Sequence, residues 1–90
     1  MTEPLLGLLE RTEAALRAVA AACRSDAVAS PDPLMLDMLE GVAQQFEDRA
    51  EQCASWAFYM DPLNFSVTSG LEAIMRDACA EFLRMVGKES

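Results

Sequence analysis

Apolar residues recur along this chain with the period of a helix. From Met35 to Met60 the spacing is 4-3-4-3: Met35, Leu39, Val42, Phe46, Arg49, Cys53, Trp56, Met60. Every rung but Arg49 is apolar. This spacing lines one stripe of side chains along an α-helix and predicts a seam packed against other helices. A first ladder precedes it: Leu5, Leu9, Thr12, Leu16, Val19, Cys23, widened by Leu6, Leu8, Ala15, Ala20 and Ala22. A third follows: Leu71, Met75, Ala78, Phe82, Met85, with Ile74 and Val86 beside it. Phe65-Ser66-Val67-Thr68 alternates as a strand does, but is too short to stand alone.

The breaks between ladders have their own chemistry. Ser30-Pro31-Asp32-Pro33 ends one helix and starts the next, with Asp32 as N-cap and Pro33 at the first helical position. Asp61-Pro62 forces a second break. Thr2 is placed to cap the first helix, and Ser69-Gly70-Leu71-Glu72 fits a capping box for the third. Gly87 suits a left-handed C-terminal cap. The expected helices cover about residues 4–24, 33–60 and 69–86, with Ala27-Val28-Ala29 open to a fraying extension of the first. At 1.5 Å per residue the second is about 40 Å long and the first about 30 Å, so the second should overhang near Trp56–Met60. Gly41, on the polar side, should weaken it by about 1 kcal/mol. The expected fold is all-α: a small antiparallel three-helix bundle with a long central helix, in a single domain over residues 1–90.

Composition sharpens the picture in two places. The chain is 52% apolar, rich for 90 residues, so either the core is generous or apolar surface is kept for a partner. Seven basic residues stand against fifteen acidic ones, a net charge of −8. That argues against nucleic acid, which demands a basic footprint, and against anionic membranes. Met1–Pro4 lacks the basic start of a secretory leader. The three cysteines, Cys23, Cys53 and Cys79, form no CxxC pair. These features are expected of a reduced, cytoplasmic protein with free thiols.

Catalytic chemistry finds little to work with. The chain has no histidine, which removes Ser–His and Cys–His nucleophiles and the Glu-x-x-His pairs of di-iron sites. A three-cysteine site lacks the fourth ligand of structural zinc. No Gly-rich phosphate loop occurs. The expectation is no enzyme, no metal and no cofactor.

Four sets of residues remain as candidates; one is the methionines Met35, Met38, Met60, Met75 and Met85, on or beside the apolar stripes, which suit an adaptable binding groove or, more plainly, fill gaps in the core. Arg49 breaks the apolar seam and is the candidate for register or oligomer specificity, by meeting Glu10, Glu13, Asp77 or Glu81; the plainer reading has its stem packed and its head in water. Phe58 falls on the polar line of Asp37, Gln44 and Glu51. With Trp56, Tyr59, Met60 and Phe65 it forms a candidate docking patch, unless the helix ends early and Phe58 folds under the following loop. Asp37, Glu40, Glu47, Asp48 and Glu51 make an acidic face.

The leading expectation is a non-enzymatic helical interaction module, a homodimer that also binds another protein through its apolar and aromatic surface. A small acidic inhibitor or nucleic-acid mimic, of the kind phages encode, is the alternative. A secretion-type chaperone that shelters an amphipathic helix, with methionines lining the groove, is the third.

Overall fold

The computed structural model describes residues 3–59 and 69–87. It holds three helices: α1 (Leu5–Ala29), α2 (Pro33–Tyr59) and α3 (Ser69–Met85). Among the described residues none is long and apolar enough to cross a membrane. The chain is a small all-α three-helix bundle in which α1 packs on both α2 and α3.

Helix α1 runs to Ala29, five residues beyond the expected end at 24. Nothing in Ser25–Ala29 stops a helix, and the turn that ends it waits for the prolines. Ser30 N–H closes on Ala27 O at 3.2 Å, and Ser30 Oγ accepts from Asp32 N–H at 3.3 Å. Asp32 then caps α2: its Oδ1 accepts from Leu34 N–H at 3.0 Å. Pro4 is the N-cap of α1 and makes no side-chain cap bond, while Thr2 lies outside the described residues. At the other end of the chain, Gly87 adopts φ 74°, the left-handed conformation that glycine takes without strain.

The chain goes up along α1, down α2 and up again along α3. Arg76 Nη1 of α3 donates to Glu3 O before α1 at 2.7 Å, which fixes α3 alongside the start of α1. One apolar cluster joins Leu5, Leu8, Leu9 and Leu16 of α1, Ala50 and Cys53 of α2, and Met75, Cys79 and Leu83 of α3. Thr12, also fully buried, satisfies its hydroxyl on Leu8 O at 2.7 Å.

At 17 residues α3 spans about 25 Å, against about 37 Å for the 25 residues of α1. It therefore covers only the lower part of the α1–α2 hairpin. Burial follows this boundary along both ladders. On α1, Leu5, Leu9, Thr12 and Leu16 are buried, but Val19 and Cys23 only half so. On α2, Cys53 is buried and Leu39, Phe46 and Trp56 half-buried, whereas Val42 is 40% and Met35 45% exposed.

The expected α2 seam is thereby corrected. The residues of α2 with no exposure are the ladder's own Cys53 and two alanines, Ala43 and Ala50, each one residue on from the expected rungs Val42 and Arg49. Among the described residues beyond α3, Ala20 and Ala27 of α1 and Ala43 of α2 are buried, so the two helices meet there on alanines. Small side chains permit close approach and leave the larger ones at the flank. The α3 seam shifts in the same sense: Met75, Cys79 and Leu83 are buried, while Met85, an expected rung, is exposed.

Candidate functional site

Two exposed apolar regions stand out, one at each end of α2. The lower one lies in its last turns. Because α2 stays helical through Tyr59, Phe58 keeps its phase on the polar line and is 68% exposed. Its ring meets Tyr59 edge to face, with centroids 5.8 Å apart. Tyr59 and Trp56 turn toward α3 and, with Gln52, Leu71 and Met75, line an apolar recess of about 340 Å³. Trp56 and Tyr59 are thus brought together in one recess, and Phe58 flanks it on the outer face. Met60 and Phe65 lie outside the described residues.

Of the upper region, the sequence marks Met35 and Met38 as candidates, in a methionine-lined groove, but not Leu34 or Val42. Leu34 (68% exposed), Met38 (58%), Met35 and Val42 form a stripe over the first half of α2. Their 3-4 spacing was legible, but it was the spacing of a buried seam; the length of α3 leaves this part exposed among the described residues.

Arg49 sits where cover gives way to the open stripe. It is half-buried, and its Nη1 donates to Gln45 O of its own helix at 3.0 Å. No ion pair joins it to Glu10, Glu13, Asp77 or Glu81 among the described residues.

The acidic residues divide. Asp37, Glu40, Asp48 and Glu51 are exposed. Glu47 instead reaches across to α1 and takes both Arg24 Nε (2.8 Å) and Nη2 (3.1 Å), which holds its carboxyl below the usual 4.5. Glu3 is lowered in the same way by its hydrogen bonds from Arg11, at 2.9 and 3.2 Å.

The cysteines also divide. Cys53 and Cys79 are both buried in the core cluster, one on α2 and one on α3. The neighbouring Cys79 and burial hold the Cys53 thiol well above the ordinary range, so it stays protonated. Cys23 lies half-buried, eleven residues beyond Thr12 along α1, about 16 Å on the helical rise. Among the described residues no three His, Cys, Asp or Glu side chains are grouped to hold a metal.

The class of protein defined by these features is a small all-α bundle with apolar helix surface open at two places. No protein family model matches the chain, and no curated protein or solved structure is significantly similar to it.

Proposed function

We propose that this chain is a non-enzymatic interaction module that self-associates as a homodimer and docks a further protein through the aromatic end of α2. The observation that carries this reading is the uncovered apolar surface of α2. Leu34, Met35, Met38 and Val42 are exposed together on one side of one helix, where single scattered apolar residues would be ordinary. The recess beside Trp56 and Tyr59, flanked by exposed Phe58, suits an apolar side chain of a partner.

The test is sedimentation equilibrium in reducing buffer at low and high salt. Mass should rise from monomer to dimer with concentration and persist in high salt, because burial of apolar surface drives it. A monomer at every concentration contradicts self-association. The exposed line Asp37, Glu40, Asp48 and Glu51 supports the acidic-inhibitor reading instead if partner binding collapses with salt and survives Phe58→Ser.

A further inference from the structure

The recess sets the register between α2 and α3. Across it, Trp56 and Tyr59 of α2 face Leu71 and Met75 of α3. The two helices run antiparallel, so one turn back along α2 is matched by one turn forward along α3. One turn from Trp56 and Met75, Cys53 falls opposite Cys79. A further turn sets Ala50 opposite Leu83. Burial agrees with this register: Ala50, Cys53, Cys79 and Leu83 lie in one core cluster, none more than 1% exposed. The two thiols are therefore neighbours on facing helices, and both are free. Cys23, half-buried on the upper part of α1, stands apart from them.

Packing alone does not call for sulfur at both rungs, since Ala50 fills the adjacent rung without it. The position is also where a covalent link would add most. Helices α2 and α3 approach each other less closely than either approaches α1. Arg76, through Glu3 O, fixes α3 to the start of α1 and not to α2.

We propose that Cys53 and Cys79 close reversibly into a disulfide that staples α3 to α2. The oxidant is a low-molecular-weight disulfide, and the bond is made by exchange. Cys79, as thiolate, attacks one sulfur of the small disulfide; that S–S bond breaks and one small thiolate leaves. Cys53 then attacks the Cys79 sulfur of the mixed disulfide and gives its proton to the second small thiolate as it departs. Two protein thiols are oxidised, and one small disulfide is reduced to two thiols. The order of attack follows from the surroundings of the pair. The neighbouring Cys53 lowers Cys79 from the ordinary thiol value, and the guanidiniums of Arg11 and Arg76 help against burial, which opposes it; Cys53 is raised. Both sulfurs are covered in the closed bundle, so exchange proceeds through transient opening of α3, the shortest helix. Once formed, the bond closes residues 54–78 into a loop and holds the two walls of the recess together one turn away.

The staple is independent of self-association and of docking, and its test uses the full chain with Cys23→Ser, which removes the thiol that could crosslink two copies. The protein is equilibrated in glutathione buffers from fully reduced to fully oxidised, quenched with acid and weighed by mass spectrometry. The oxidised end should give a monomer lighter by two hydrogens with no glutathione retained. Cleavage after arginine should then yield residues 50–76 linked to residues 77–84. The wild-type chain should give the same link. Closure should raise the melting temperature by about 10 °C, and dithiothreitol should return it. Refolding from urea in the same buffers exposes both thiols, so slow opening of α3 cannot hide the bond. Two free thiols after that refolding, or stable glutathione adducts on either cysteine, would overturn the proposal. A linked form that melts below the reduced one would overturn it too, because the helices would then have to leave their packing to close the bond.

Discussion

Residues at equal rungs of one ladder carry unequal weight here. Leu16 is fully buried at the meeting of all three helices, and its truncation to Ala should cost about 2–5 kcal/mol. Phe46 occupies the corresponding ladder on α2 but is half-buried, so Phe46→Ala should cost less than Leu16→Ala in the same chemical denaturation. Phe58→Ser should change stability by less than about 0.5 kcal/mol, since the ring is exposed and meets Tyr59 edge to face. A loss of several kcal/mol would show that Phe58 is covered and would remove it from the docking surface. At Arg49 the expected outcome concerns assembly: Arg49→Leu should blur the dimer register or lower its affinity. Unchanged native mass with a raised melting temperature would leave the arginine with only a solvated-head role.

At the scale of elements, the helices and their breaks were legible because proline, capping and period agree. Asp32-Pro33 states the start of α2, and the structure shows the cap bond to Leu34 N–H that the dipeptide implies. Asp32→Ala should therefore cost about 1 kcal/mol in thermal or urea melts. The faces were harder to read, because large side chains dominate a hydropathy pattern. Ala43 and Ala50 lie one residue from Val42 and Arg49, and the alanines make the inter-helix contact while Val42 stays at the flank. Glu47 was invisible for a related reason. On its own helix it belongs to an acidic line, and only the neighbouring α1 shows that it meets Arg24. Glu47 and Glu3 both have carboxyl groups lowered from 4.5 by an arginine hydrogen bond. Their contribution is complete above the unfolded value and fades as pH falls below it through the lowered folded value. The melting difference between wild type and Arg24→Gln should thus shrink on the acid side of pH 4.5 and stay level toward neutrality. A difference that grows on acidification would contradict the pairing.

For the whole molecule, length governs what the faces do. Two helices of 25 and 27 residues are served by a third of only 17, so the bundle has a three-helix base and a two-helix top. The apolar excess of the composition is divided accordingly: part fills the core around Leu9, Leu16 and Leu83, and part stands uncovered on α2. Amide hydrogen exchange at low and high protein concentration reads that mismatch in solution. In dilute protein, amides of residues 33–46 should exchange faster than those of residues 50–57, which α3 helps cover. At high concentration, residues 33–46 should gain protection while α3 stays unchanged. Equal protection along α2 at both concentrations would mean that the top of the hairpin needs no cover, and the uncovered stripe would then have no role in assembly.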